Sequence, residues 1–239
     1  MMNPFKFVFF LPILLFFWGC STRIQIAVDA DDKTSFHITA SVKPDTATLL
    51  KSLGSLGQGG LALNVEAVKS SFNKAGFTTV QAVSSDSGSL QIDAGAVSAA
   101  KAFSALKKAA LYSPGTDKTT GMFQITLSPE TMPEILALLP AETVSYLDLL
   151  MAPVFTGEKL SEGEYLATIA AVYGKNIVRE LSESVLEFAF IAPSTITSTE
   201  APPQTRIEKR GSQEVSFFIP LTALLAEQRH LTYRIQWRR

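Results

Sequence analysis

One thiol is available to this 239-residue chain: Cys20, in the stretch FFWGCSTR. A cysteine thiolate is a strong nucleophile and the reactive form of the side chain. With no second cysteine, the chain can form neither an internal disulfide nor a cysteine-based metal centre. Cys20 also stands at a boundary. An apolar run from Phe7 to Trp18 ends just before it, and a polar chain begins just after it.

The other groups with chemical potential are weaker. Ser71/Lys74, Ser98/Lys101 and Ser104/Lys107 each place a lysine one helical turn from a hydroxyl. Penicillin-binding enzymes use that spacing together with Ser-Asp-Asn and Lys-Thr-Gly elements. Here DKTTG (117–121) and SDS (85–87) match those only in part, and three hits in one alanine- and serine-rich region show how cheap the spacing is. Asp29, Asp31 and Asp32 resemble a calcium loop. Such a loop needs glycine at its sixth position and a distal glutamate; Thr34 stands at the sixth position, so a solvated hairpin turn is the better reading. His37 falls on the polar phase of its strand, and His230 lies in a charged connector. There is no Gly-x-Ser-x-Gly elbow to support a Ser–His–Asp hydrolase. Glu158, Glu162 and Glu164 read as favourable charge at a helix N-terminus. The glycines of GSLGQGG do not follow a strand in a phosphate-cradling arrangement. No cofactor is expected.

The leader fixes how Cys20 is used. Lys6 precedes an apolar run of about 12 residues, the layout of a secretory signal; a membrane-spanning helix needs about 20. Gly19-Cys20 at the end of that run resembles the lipobox of bacterial lipoproteins. The resemblance implies that the Cys20 thiol receives a diacylglycerol, that cleavage follows Gly19, and that the new amine is acylated, commonly with palmitate. Phe17 and Trp18 stand where leucine and a small residue are usual, which is similar to the looser lipoboxes of spirochaetes. The expectation is a signal peptide over 1–19 and one domain over 20–239, anchored to a membrane of the cell envelope and lying in the periplasm or at the cell surface.

Loss of the leader removes six of the 16 phenylalanines and one of two tryptophans. The remaining chain is weakly acidic, which excludes nucleic acid as an expected partner, and is long enough to build one packed core. Ile24, Ile26 and Val28 alternate with polar or small residues, as do Phe36, Ile38, Ala40 and Val42, predicting a hairpin around DADDKTS. A short helix follows Pro44; Asn64 caps another that ends at Gly76. A second hairpin spans 77–83 and 89–93. Residues 96–111 read as an alanine-rich helix and 123–127 as a strand. Ser161 and Glu164 have capping-box spacing, opening a helix that stops at Gly174. LEFAFIAP, VSFFIP and LTYRIQW read as strands, with TSTEAPPQT as a loop and LTALLAEQ as a helix entered through Pro220. The fold class expected is α+β: a single domain with an antiparallel or mixed sheet and helices covering one face.

Two surfaces stand out. Residues 129–174 form a helical subregion whose first part, 129–155, is rich in Leu, Met and Pro. That part reads first as a helical cover over the sheet; on the sharper reading Met132, Ile135, Leu136, Leu139, Leu147, Leu150 and Met151 are candidates for an apolar pocket or lid, since methionine and proline-broken helices suit adaptable apolar surfaces. Residues 205–239 carry seven basic and three acidic side chains. Arg234, Arg238 and Arg239 share an outward phase and are candidates for lipid headgroup contact. The C-terminal layout of LEFAFIAP, VSFFIPLTALL and LTYRIQW resembles that of uncharacterised lipoproteins of spirochaetes, treponemes in particular. In pattern it is also similar to a mycobacterial lipoprotein family with an α+β domain implicated in glycolipid binding, a likeness that transfers no residue. The expected function is a non-enzymatic, membrane-anchored binding or scaffold protein. Its partners would be the bilayer, through acylated Cys20, and a lipid or other apolar ligand. The alternative is a cell-envelope enzyme whose acid and base residues converge only in the fold.

Overall fold

Alternation of apolar and polar residues sets the first two strands, β1 (Cys20–Val28) and β2 (Thr34–Val42), which pair antiparallel from Cys20↔Val42 to Val28↔Thr34. The turn between them is built by Asp29, whose carboxylate accepts the N–H groups of Asp31 and Lys33, both at 2.9 Å. Asp32 takes the left-handed backbone conformation there, at φ 66°, which aspartate tolerates better than most residues. The computed structural model describes residues 20–54, 65–74, 76–85, 89–106, 108–116, 120–136, 158–226 and 230–238.

The next elements are α1 (Pro44–Gly54), α2 (Val65–Lys74), β3 (Thr79–Ser84), β4 (Ser89–Ala96), α3 (Ala99–Phe103), β5 (Ala110–Ser113), β6 (Gly121–Leu127) and α4 (Met132–Leu136). Then come α5 (Glu162–Tyr173), α6 (Lys175–Ser182), β7 (Val185–Ile191), β8 (Ile196–Glu200), β9 (Arg206–Arg210), β10 (Glu214–Pro220), α7 (Leu221–Ala226) and β11 (Leu231–Trp237). Seven strands form one mixed sheet in the order β3-β4-β2-β1-β7-β10-β9, and four form a second in the order β5-β6-β11-β8. Parallel pairing of β1 with β7 joins the two halves of the chain. The architecture is the α+β domain expected, with one refinement: the second sheet shares with the helices the work of covering the first.

Register puts Ile24, Ile26, Phe188, Phe190, Val215 and Phe217 on one face of the large sheet. The small sheet meets that face through aromatic contacts. Phe123 stacks on Phe190 at 4.9 Å, Phe190 on Trp237 at 5.6 Å, and Phe217 meets Tyr233 edge-on at 5.4 Å. Phe123, Phe190, Phe217, Tyr233 and Trp237 are all buried. At the other end of the large sheet, Val68 and Phe72 of α2 pack with Ala82, Leu90 and Ile92 in a second cluster.

Two elements differ from the sequence reading. The alanine-rich stretch 96–111 is not one helix. Helix α3 passes into a 3-10 turn (Ser104–Leu106), and β5 then pairs with β6. The Glu134 carboxylate takes the N–H groups of Lys108 and Ala109 at 2.7 and 3.1 Å, which diverts these donors from any helical ladder. The stretch read as a loop, TSTEAPPQT, contains most of β8, held as a strand by pairing with β11. Pro202 and Pro203 follow once the strand has ended.

Candidate functional site

The face of the large sheet opposite the core is ordered in transverse rows, one residue per strand. Nearest Cys20, Ser89, Ser41, Ser21, Val185 and Pro220 adjoin in register across β4, β2, β1, β7 and β10. Ser85 continues that row past the end of β3: its N–H bonds the Ser89 carbonyl at 3.0 Å, and the two hydroxyls lie 2.7 Å apart. The next row crosses all seven strands as Val83, Gln91, Thr39, Arg23, Glu187, Phe218 and Arg206. A third runs Gln81, Asp93, His37, Gln25, Ala189, Ser216 and Glu208.

Ion pairs organise the middle of this face. Arg23 lies 3.8 Å from Glu187 and 3.6 Å from Glu214, and donates to the Gln25 amide oxygen at 3.0 Å. Arg210 reaches the same two carboxylates at 3.3 and 3.6 Å. The Ser216 hydroxyl donates to Glu187 at 3.0 Å, and the Arg206 guanidinium sits 3.7 Å from the centre of the Phe218 ring. Nearer β3, His37 Nδ1 and Asp93 Oδ1 are 2.5 Å apart, and Gln91 donates to the other Asp93 oxygen at 2.9 Å. The His37 ring, and then the Gln91 amide, hold the Asp93 carboxyl below the usual carboxylate range.

Between the first two rows lies an open groove of about 590 Å³. Serine and threonine hydroxyls, the Gln91 amide and the Arg23–Glu187 pair line it, with Val83, Val185 and Phe218 as its apolar part. The combination of hydrogen-bonding groups, one balanced ion pair and a few apolar side chains suits non-covalent recognition of a molecule with both polar and apolar parts. The shifted carboxyl on this face, Asp93, is shifted downward. It is therefore ionised at neutral pH and unsuited to donating a proton there.

Cys20, the candidate attachment residue, is the first residue of β1, at the groove's end of the sheet; Gly19 lies outside the described residues. Of the candidate lid residues, Met132 is buried in the main core and Ile135 packs against it. Leu136 ends α4, and Leu139, Leu147, Leu150 and Met151 lie outside the described residues. Arg234 donates to Gln124 and Glu200 at 2.9 and 3.0 Å. Arg238 is exposed just beyond β11, and Arg239 lies outside the described residues. The Arg238 N–H bonds the Thr195 carbonyl, and Ile196 in turn bonds Ser212, beside the start of β10. Glu214 of β10 faces Ile191, and Ile191 faces Ala27 near the far end of β1. Arg238 therefore sits at the opposite end of the molecule from Cys20.

The weaker sequence candidates have structural roles. Ser98 caps α3 by accepting the Lys101 N–H and donates to Asp32 at 3.0 Å; Asp32 also accepts the Tyr112 hydroxyl. Gly121, the glycine of DKTTG, lies against the Trp237 indole. Among the described residues no group of His, Cys, Asp and Glu is placed to hold a metal ion. Ser161 and Glu164 form the capping box that their spacing predicts. The rows of the outer face escaped the sequence reading. The polar phase was visible in Ser21, Arg23 and Gln25 and again in His37, Thr39 and Ser41, but which strands adjoin was not.

No family model matches the chain, and no curated protein does. Among solved structures it is similar to the NMR structure of the folded domain of the Mycobacterium tuberculosis LppM protein. That likeness has 12% sequence identity and a TM-score of 0.41, and covers 99% of this chain and 97% of that one.

Proposed function

We propose that this chain is a membrane-anchored lipoprotein of the cell envelope that works as a binding or scaffold protein, with the outer face of its large sheet as the working surface. The observation that carries this reading is the position of the groove, at the end of the sheet where Cys20 begins β1. A lipid on Cys20 would hold the groove at the bilayer. Hydroxyls, the Arg23–Glu187 pair, Val83, Val185 and Phe218 together suit an amphiphile, such as a lipid, better than a purely apolar ligand. Native mass spectrometry of the Cys20→Ser chain, purified from a bacterial host under gentle detergent removal, tests the binding role. A retained amphiphile, lost in Val185→Asp, is the expected result. A clean apo mass, with no change in melting temperature across a panel of lipids, would remove the proposal.

A further inference from the structure

The large sheet is polarised along its strands. Its row nearest Cys20, made of Ser85, Ser89, Ser41, Ser21, Val185 and Pro220, carries no charge. The charge at this end stands outside the row: Lys43 is paired with Glu183 at 3.2 Å and Arg179 with Asp45 at 3.4 Å, and Asp86 lies in sequence between Ser85 and Ser89. The far end is charged: it holds the Asp29–Lys33 turn, Arg210 with Glu214 beyond it, and Arg238. The rise along a strand is about 3.3 Å per residue, so roughly 25 Å separates the two ends of β1. Val83 and Val185, in the first two rows, are 67% and 38% exposed.

We infer that the serine row with its Val185, together with Val83 of the next row, is the surface this domain lays against the bilayer. The inference rests on the lipid-anchor reading of Cys20. Cys20 Cα is itself paired, with Val42, so an acylated thiol leaves the sheet end only the length of one side chain above the membrane. Serine hydroxyls both donate and accept, and so hydrogen-bond phosphate and ester oxygens of lipid headgroups without needing charge. Valine side chains gain by leaving water. Docking of this kind depends little on anionic lipid or on salt, unlike attraction through basic residues. It also points the groove along the headgroup layer, where an amphiphile can enter without crossing bulk water.

The lone-thiol composition makes a direct test practical. Once Cys20 is acylated, a single introduced cysteine is the only free thiol. Ser89→Cys and Ser212→Cys are expressed as the full chain, their acylation is confirmed by mass, and each is fluorophore-labelled. Each is then placed in phosphatidylcholine vesicles containing a headgroup-nitroxide lipid. The expected result is quenching at position 89 at least several-fold stronger than at 212, unchanged in about 0.5 M salt, where screening is nearly complete. Val185→Asp should weaken the quenching at 89 several-fold without altering acylation. Equal quenching at both positions of acylated protein overturns the orientation while leaving the anchor standing. Quenching that needs anionic lipid and disappears in salt assigns the contact to basic residues and also overturns it. An unacylated Cys20 removes the anchor reading itself, and this inference with it.

Discussion

Cys20 and Val42 face each other as the terminal pair of the β1–β2 ladder, one residue before Lys43 and the start of α1. The single cysteine of the chain therefore stands on paired backbone, at the end of the sheet where the outer-face groove lies.

The proposed lipid attachment at Cys20 gives the first prediction. Cys20→Ser removes the nucleophile, so radioactive palmitate should no longer label the chain, and an unprocessed precursor containing residues 1–19 should accumulate. Labelling that persists in Cys20→Ser would show that the acyl group is attached at another residue.

Glu180 provides a stability prediction. This buried carboxylate on α6 accepts the Asp45 N–H at 2.9 Å, the Thr46 N–H at 2.8 Å and the Thr46 hydroxyl at 2.7 Å. It thus serves as the N-terminal cap of α1, supplied from another helix. Glu180→Ala orphans buried donors and should cost about 1–3 kcal/mol in urea unfolding. Glu180→Gln keeps an acceptor oxygen and should cost less. Equal costs for the two variants would mean that packing, not capping, is what Glu180 provides.

Gly121 gives a steric prediction. A Cβ there would lie 2.1 Å from Trp237 Nε1, 2.3 Å from Cε2 and 2.8 Å from the Pro114 carbonyl oxygen. None of these can yield easily, because the indole is fully buried and the third atom is backbone. Gly121→Ala should therefore destabilise by about 1–3 kcal/mol through overpacking. Adding Trp237→Phe, which frees space beside Gly121, should recover part of that loss relative to Trp237→Phe alone. Strictly additive costs would place the strain elsewhere.

The sequence told most about local order. Alternation marked β1, β2, β10 and β11, and the Ser161–Glu164 spacing marked the start of α5, because in each case the deciding interactions lie within a few residues. It told least where the partner is distant. β8 reads as a polar loop until β11 lies beside it, and 96–111 reads as one helix until Glu134 takes two of its backbone donors. The outer face is the same problem on a larger scale. Arg23, His37, Asp93, Glu187 and Phe218 are unremarkable polar or isolated residues in the linear chain. They become one surface through the parallel β1–β7 pairing, which joins segments from opposite ends of the chain, and nothing in local periodicity reports it.

The His37–Asp93 pair gives a pH prediction whose sign follows from the downward shift of Asp93. The His37 ring is the larger cause and the Gln91 amide the next, while desolvation pushes the other way and is outweighed. In the unfolded chain Asp93 should titrate near its ordinary value of 3.8. The folded state therefore binds this proton less readily than the unfolded state does. The stability that Asp93 contributes is complete above the unfolded value and is lost as pH falls through the lower, folded one. Between pH 5 and 8 this carboxylate should add no slope to the stability curve. A carboxyl 13C NMR titration should place Asp93 below its ordinary value of 3.8, and His37→Val should move it back toward that value. An Asp93 resonance that titrates identically in wild type and His37→Val would show that the 2.5 Å contact does not set the charge on this side of the sheet.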